Sequence, residues 1–357
     1  MVMVYRVAIV GARRGLHHAR AYQGLENMKV VALCDKDEER LIAGVKELEV
    51  PGYKSYEEML EKEHPDVVHA VTAPNITRAI WVEPAVAYGV QVLVIEKPIA
   101  LLPSEAEALA QVQRKTGLKI IVNHQRRYMS ITTKLLELKA KGQLGQVHFV
   151  RASTAGQITD MATHLMDIAL LAIGDALATN VWAVAQGGST YAEPNLRCPE
   201  ELIAVYTFPD GQRLFFEAAR VAFGLADFPS KWAPGGLGEW PWRDRCSMDV
   251  WADKGRFWWR ENGQWGYHVD GMAHPFWEET EFDRDDMPAQ RVFTRAIATW
   301  LDNPDQPHLC RFKIAKIGFD SIMAAYHSAL LDRRIPLPTS FTDVEWEQLR
   351  NKLTTTA

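Results

Sequence analysis

The feature that most constrains the fold is a strand, a glycine turn and a helix near the start of the chain. The sequence VAIVGARRGLHHARAY, residues 7–22, places an apolar run before Gly11 and an amphipathic stretch after Gly15. This order is typical of dinucleotide-binding domains, in which the helix N-terminus faces the pyrophosphate. The usual loop is G-x-G-x-x-G, whereas this loop is one residue shorter and has Arg13 near the second glycine. An ordinary strand-to-helix turn would also fit these residues, so the rest of the chain must decide.

An acidic residue supports the nucleotide-binding interpretation. Asp35 ends the next apolar run, about 20 residues beyond the loop, where a carboxylate would bind the ribose hydroxyls of NAD. The alternative is that Asp35 only caps the helix that follows. Continuous apolar runs then alternate with helical patterns, as expected for a parallel sheet covered on both faces. Strands are predicted at residues 5–10, 30–34, 67–71, 92–95 and 119–122.

The pattern changes after Tyr128. Alternating apolar and polar stretches separated by turns such as Asp210-Gly211 and Asn262-Gly263 predict hairpins. With 357 residues the chain exceeds the usual size of one hydrophobic core. We therefore predict an α/β protein with a Rossmann dinucleotide-binding domain at 1–123 and an α+β domain at 124–357. The second domain is expected to bind substrate, to form oligomers and to contain a large mixed or antiparallel sheet.

Composition excludes several classes of function. The chain has 40 Lys and Arg against 45 Asp and Glu and no dense basic stripe, so a nucleic-acid partner is not expected. No apolar run reaches the ~20 residues that span a bilayer, and the first residues lack the order of a signal peptide. The cysteines are scattered, which favours reduced thiols over disulfides or a zinc site; no metal is implied, and we expect a cytoplasmic protein. They are Cys34, Cys198, Cys246 and Cys310.

Three motifs identify a family resemblance. They are AVTAPNITRA (70–79), VLVIEKPIA (92–100) and THLMDIALLAIGD (163–175), the last of which follows Asp160. Together they resemble the glucose–fructose oxidoreductase and inositol dehydrogenase family, Gfo/Idh/MocA, over nearly the whole chain. The resemblance implies an NAD(P)-dependent oxidoreductase that transfers a hydride between a nicotinamide cofactor and a secondary carbinol of a sugar, polyol or glycoside.

The resemblance also implies catalytic residues. Lys97 matches the lysine of the E-K-P motif, which binds the substrate hydroxyl beside the nicotinamide, and Asp160 and His164 match a D-x-x-x-H pair whose histidine is the acid–base group. A spacing of four on a helix places both side chains on one face, and histidine titrates near working pH. Alone, His164 would be interpreted as a core histidine and Asp160 as a helix N-cap. The implied cofactor contacts are Gly11, Arg13, Arg14, Gly15, Leu16, Asp35, Ala73, Pro74, Asn75, Glu96 and Lys97.

The sequence departs from the family pattern at two further places. Arg78 stands where the family has the histidine of P-N-x-x-H, and the segment before Asp160 is short. The stretch NHQRRYMS, residues 123–130, resembles a family segment that reaches toward substrate. Gln125 and Arg127 are therefore candidate substrate contacts, with surface charge as the alternative.

The nucleotide preference follows from charge. The carboxylate of Asp35 would repel a 2′-phosphate, so NAD is the expected cofactor, while Arg13 and Arg14 keep NADP possible. Two other functions stay open: redox-neutral cleavage of a glycoside with retained NAD, and a regulatory protein that senses a nucleotide or sugar without turnover.

Tryptophan is concentrated in one region, since eight of the twelve lie between residues 232 and 277. Trp232, Trp240 and Trp242 fall in the Pro- and Gly-rich stretch FPSKWAPGGLGEWPW, where indole rings could stack on a sugar, and Trp232 is the candidate substrate contact. The tryptophans predicted on strands would instead pack the sheet against a partner subunit. A homo-oligomer formed through the C-terminal sheet is expected.

Overall fold

The structure is a computed structural model that describes residues 3–219, 222 and 246–355. The chain divides into two compact units, one formed by residues 1–125 and 287–315 and the other by residues 126–286 and 316–357. A single boundary after residue 123 does not describe this division, because residues 287–315 return to the first unit. The roles of the two predicted domains stay predictions.

Six strands in the described part of the first unit form one parallel sheet in the order β3-β2-β1-β4-β5-β6. Their bounds are β1 (Tyr5–Val10), β2 (Met28–Cys34), β3 (Gly52–Tyr53), β4 (Val67–Ala70), β5 (Val92–Ile95) and β6 (Lys119–Val122). The helices between them are α1 (Gly15–Tyr22), α2 (Glu38–Leu48), α3 (Tyr56–Glu63), α4 (Val82–Ala87) and α5 (Pro103–Thr116). The direction of winding reverses between β1 and β4, as in a doubly wound Rossmann fold, which confirms the predicted fold class.

Residues 287–315 belong to the first unit because they cover the edge of its sheet. The backbone N–H of Val122 in β6 donates a 2.9 Å hydrogen bond to the carbonyl of Cys310, and Ile121 pairs with Arg311. Gln290 donates through Nε2 to Oδ1 of Asn123 over 3.1 Å. Residues 287–315 thus contact the end of β6, the last strand of the first sheet.

Nine strands in the described part of the second unit form a mixed sheet in the order β14-β13-β12-β11-β7-β10-β9-β8-β15. Neighbouring strands are antiparallel except β7 and β10, which are parallel. The bounds are β7 (Val147–Thr154), β8 (Asn180–Gln186), β9 (Glu201–Thr207), β10 (Arg213–Ala219), β11 (Cys246–Ala252), β12 (Gly255–Arg260), β13 (Gln264–Val269), β14 (Phe276–Glu279) and β15 (Ile335–Pro336). The predicted mixed sheet is confirmed.

Helices cover one face of this sheet. Helix α7 packs on β7 and β11, and in α9 the carbonyl of Ser321 accepts a 3.0 Å hydrogen bond from the Tyr206 hydroxyl of β9. On the opposite face Trp182 and Trp251 are 44% and 38% exposed. The later helices are α6 (Ser130–Ala140), α7 (Thr163–Ile173), α8 (Phe282–Asp302), α9 (Phe312–Leu331) and α10 (Asp343–Thr355). No helix among the described residues has the length and apolarity that a bilayer crossing requires.

Candidate nucleotide and active site

The candidate nucleotide site lies at the carboxyl ends of the parallel strands, beside the point where strand order reverses. Gly11 follows β1, Asp35 follows β2, the 72–78 loop follows β4 and Glu96 follows β5. In open α/β sheets, ligands bind in the crevice outside this edge. The sheet therefore brings together the segments that the sequence assigns to the cofactor.

The glycine loop requires glycine at both ends. Gly11 has a φ of +97°, and a Cβ there would lie 2.1 Å from the carbonyl oxygen of Val71. At Gly15 a Cβ would lie 2.9 Å from Cγ2 of Ile9, so a side chain would push α1 away from β1. These are the turn-forming and helix-packing roles of the first and third glycines in dinucleotide-binding loops. The shortened loop retains both.

The chemistry at the start of α1 fits a pyrophosphate. Helix α1 begins at Gly15 with no acidic residue in its first turn and no side chain capping its first N–H groups. Arg13 and Arg14 are exposed beside it, and Leu16 is half-buried. Unsatisfied N–H groups, the positive end of the helix dipole and two guanidinium groups all favour an anion.

Asp35 stabilises the loop. Its Oδ2 accepts a 2.6 Å hydrogen bond from the backbone N–H of Ala12, and its Oδ1 accepts one of 2.8 Å from the N–H of Asp37. An ionised carboxylate has about four lone-pair sites, so both oxygens keep the capacity to accept ribose hydroxyls. The cap of α2 is a different residue, since Asp37 accepts from the N–H of Arg40. The alternative that Asp35 only caps this helix is therefore wrong.

Arg78 organises the loop after β4, a role that the sequence analysis did not assign. The side chain is buried, and its Nη1 donates to Thr72 Oγ1 and to the carbonyls of Ala73 and Ile76 over 2.7–2.9 Å. Its Nε donates to the carbonyl of Glu96 over 3.3 Å. Burial lowers the pKa of Arg78 to about 10, which leaves it cationic at neutral pH. The predicted cofactor contacts on this loop are half-buried or exposed: Ala73, Pro74 and Asn75.

Glu96 and Lys97 lie in different environments. Glu96 is 6% exposed, and its Oε1 lies 2.8 Å from Nε2 of His18 and 3.0 Å from Nδ2 of Asn123. Lys97 is half-buried. The two residues are adjacent in sequence, and Lys97 is the more exposed of the two. The side chain of Glu96 is directed toward these buried partners, and the contact of Glu96 with the cofactor stays a prediction.

Asp160 and His164 do not share one α-helix. Asp160 lies in a single π-helical turn, Ile158–Ala162, in which the N–H of Ala162 donates to the carbonyl of Gln157 over 3.2 Å. His164 is buried in the first turn of α7. The sequence predicts a helix at residues 160–173; in the structure the helical segment begins at Ile158, and its first turn is π-helical. Single π turns occur frequently at functional sites, and this one contains Asp160.

The side chain of Arg127 is buried and paired with two carboxylates. It is 1% exposed; its Nε donates to Asp167 over 2.6 Å, and its Nη1 and Nη2 form a bidentate pair with Asp175 over 2.9 and 2.8 Å. Burial would lower the pKa of Arg127, but Asp167 and Asp175 raise it above its ordinary value. A guanidinium this buried and this fully bonded does not fit contact with substrate or surface charge. Gln125, the other candidate in this segment, is also buried.

The tryptophan predictions divide into two groups. Trp232, Trp240 and Trp242 lie outside the described residues, so their predicted contact with a sugar stays a prediction. On the sheet, Trp258, Trp259 and Trp265 are buried within the chain itself. The exposed aromatic surface of the sheet is formed by Trp182, Trp251 and Trp277.

Comparison with known proteins supports the Rossmann fold of the first unit. The fold and the loop geometry are those of a Rossmann domain, and residues 5–124 match the model of GFO_IDH_MocA, the oxidoreductase family with an NAD-binding Rossmann fold. The match to the Gfo/Idh/MocA family over residues 5–124 agrees with the resemblance that the motifs at residues 70–79 and 92–100 predict.

Similarity to curated proteins covers part of the chain. The D-apiose dehydrogenase of Paraburkholderia graminis is 27% identical over 181 residues, 44% of this chain and 47% of that protein. The D-glucoside 3-dehydrogenase of Escherichia coli is 27% identical over 194 residues, 47% of this chain and 54% of that protein. The chain thus spans about half the length of the curated relatives it matches.

Similarity to solved structures covers almost the whole chain. An oxidoreductase from Agrobacterium radiobacter in complex with NAD⁺, L-tartaric acid and magnesium has a TM-score of 0.75 at 17% identity, with 93% of this chain and 98% of that chain covered. The WlbA dehydrogenase of Bordetella pertussis, in complex with NADH and UDP-GlcNAcA, has a TM-score of 0.71 at 17% identity, with 94% and 100% covered. At these identities the likeness supports the fold.

Proposed function

We propose that this protein is an NAD(P)-dependent dehydrogenase that oxidises a secondary carbinol of a sugar, polyol or glycoside. The observation that carries the proposal is the position of Lys97, partly exposed directly after β5 at the sheet edge where the glycine loop and Asp35 also lie. The family match over residues 5–124 and the sugar dehydrogenases among the relatives support the same class of reaction.

In this proposal, side chains of the protein remove the hydroxyl proton and stabilise the charge that it leaves. When bound, a nicotinamide dinucleotide supplies the hydride acceptor for the carbinol carbon. We assign to an imidazole nitrogen of His164 the proton that leaves the hydroxyl, and to Lys97 Nζ a hydrogen bond that stabilises negative charge on the same oxygen. The carboxylate of Asp160 orients the histidine. The carbinol thus loses one hydride and one proton, which balances its oxidation to a ketone.

NAD is the preferred nucleotide in this proposal. Asp35 would face the ribose of the adenosine half, where its carboxylate accepts hydrogen bonds from hydroxyls and repels a 2′-phosphate. Exposed Arg13 and Arg14 are the residues that would oppose this preference.

We also propose that the exposed face of the second sheet forms a homo-oligomer. Trp182 and Val184 on β8 and Trp251 on β11 are about 40% exposed on the face opposite α7 and α9. Large aromatic surfaces of this kind mark protein interfaces.

The function is tested by turnover and binding together. Purified full-length protein is first titrated with NAD and NADP, and then assayed for nucleotide reduction with sugars, polyols and glycosides. Lys97→Ala and His164→Ala should each lower kcat by about 10²–10⁴ while nucleotide binding is retained. His148→Ala, which removes an exposed histidine of β7, is the matched control and should retain activity. Near wild-type turnover in both catalytic variants would overturn the assignment, and release of free sugar without net NADH would indicate redox-neutral glycoside cleavage.

A further inference from the structure

A buried cluster lies directly behind Lys97. Glu96 is its centre, because its Oε1 lies within 3.0 Å of both His18 Nε2 and Asn123 Nδ2. The two partners come from α1 and from the end of β6, and both are almost fully buried. Asn123 is held in turn by Gln290 of α8. We call Glu96, His18, Asn123 and Gln290 the Glu96 cluster.

The main chain at this position is also fixed. The carbonyl of Glu96 accepts the 3.3 Å hydrogen bond from Arg78, which organises the 72–78 loop. Glu96, which directly follows β5, therefore contacts two other predicted parts of the cofactor site: α1 behind the glycine loop and the loop after β4. Its side chain is directed into the unit, and the neighbouring side chain, Lys97, is the partly exposed one.

Glu96 is held as a carboxylate. Burial would raise its pKa, but the hydrogen bond and charge of His18 outweigh burial and hold the pKa well below its usual range. A buried carboxylate held by polar partners is weak evidence for stability, since desolvation offsets most of the attraction. In some proteins such groups fix one geometry instead, and the side chain next to this fixed position is Lys97.

We propose that Glu96 is a positioning residue for Lys97, acting through its bonds to His18, Asn123 and Arg78 and not by contact with cofactor or substrate. The inference rests on the proposed function only where turnover is measured. A positioning role differs from a purely structural one in a measurable way. Loss of Glu96 should change kcat and the reactivity of Lys97 more than it changes the affinity for the nucleotide.

The first test separates kcat from nucleotide affinity. Glu96→Gln removes the charge at nearly constant volume and should lower kcat about ten- to hundredfold, the loss expected when a reacting group is misplaced by about 1 Å. The Kd for NAD should change less than about threefold, because the glycine loop keeps its own bonds. Tyr5→Phe is the control, since it removes the 2.6 Å bond from the Tyr5 hydroxyl to Asp302 Oδ1 in the same unit, and it should leave kcat unchanged.

A second variant and a second readout keep the proposal testable if Glu96→Gln does not fold or if no substrate is turned over. His18→Gln should reproduce the loss of kcat, and the double variant should lose less than the product of the two single losses. Without turnover, labelling of Lys97 by an amine-reactive reagent, followed by peptide mass spectrometry, should become more than about threefold faster in either variant, with exposed Lys54 as the internal reference. Failure of turnover in the wild type overturns the proposed function alone. Unchanged kcat or unchanged Lys97 labelling in a folded variant overturns the role of Glu96.

Discussion

The carboxylate of Asp35 accepts a 2.6 Å hydrogen bond from the backbone N–H of Ala12, so the residue predicted to select the nucleotide also fixes the loop predicted to bind it. Asp35→Ser should weaken NAD binding roughly ten- to hundredfold, the scale of a hydrogen bond to a charged group, and narrow the gap between NAD and NADP. Calorimetric titration with both nucleotides measures this. Asp37→Ser, which removes the neighbouring helix cap, is the control. Tighter binding of NADP than NAD by the wild type would refute the assignment.

The arginines of the loop make a separate prediction. If Arg13 or Arg14 contacts a phosphate, replacing that residue by alanine should reduce the free energy of nucleotide binding by roughly 1.5–3 kcal/mol. Arg20→Ala tests the other end of the same helix, where the arginine pairs with Glu47, and should not change the affinity. The phosphate role is excluded if neither loop variant binds more weakly than wild type.

Arg127 should behave as a structural residue. Arg127→Met leaves Asp167 and Asp175 without their cation and should reduce the free energy of unfolding by roughly 3–5 kcal/mol, the usual effect of breaking a buried ion pair. Urea unfolding measures the loss. Arg6→Met, which removes an exposed arginine paired with Glu63, should cost less than about 1 kcal/mol. A stable Arg127→Met protein with a raised KM for substrate would restore the substrate-binding interpretation.

His69 predicts a pH dependence of stability. It is fully buried beside Tyr22 and His18, and burial lowers its pKa well below 6.5. The folded state therefore keeps the ring neutral, whereas the unfolded chain takes up a proton below its ordinary pKa. The stabilisation is present above that pKa and is lost as pH falls, by about 1.4 kcal/mol at one pH unit below it. The free energy of unfolding of wild type and of His69→Gln is measured between pH 8 and 5.5, and it should fall more steeply for wild type. Parallel declines in the two proteins would contradict the prediction.

The exposed sheet face predicts the oligomeric state. Trp182→Glu places a charge on the proposed interface and should shift the protein toward monomer in light scattering. Ile42→Glu changes a 63% exposed residue of α2 and serves as the control. A wild type that is already monomeric, or an oligomer unaffected by Trp182→Glu, would contradict the proposed interface.

Local sequence patterns predict the first sheet well. The bounds of β1, β5 and β6 agree with prediction because these strands are continuous apolar runs between turn residues. Strand β8 was not predicted, although Gly187-Gly188, a turn signal, directly follows its sequence NVWAVAQ. Helix α8 continues from Phe282 to Asp302 through Pro288, a residue type that ordinarily breaks a helix interior.

The chemistry of the site is only partly visible in sequence. The E-K-P motif identifies Lys97, but the direction of the preceding glutamate depends on His18 and Asn123, which are distant in sequence. From the sequence alone, Arg127 is indistinguishable from a surface cation. Its structural role follows from Asp167 and Asp175, which the fold places around it. The π turn at Asp160 depends on backbone bonds that residue spacing does not specify. For Glu96 and Arg127 a long-range contact decides the role, whereas the π turn depends on local backbone hydrogen bonds.

The return of residues 287–315 to the first unit has a consequence for biosynthesis. At ribosomal rates of 5–20 residues per second, about 10–40 seconds separate synthesis of β6 from synthesis of the segment that covers it. During that interval the N–H of Val122 and the side chain of Asn123 lack the partners they have in the finished protein, Cys310 and Gln290. The nascent first unit therefore has an uncovered sheet edge until residues 287–315 have been translated, and an uncovered edge can pair with other chains.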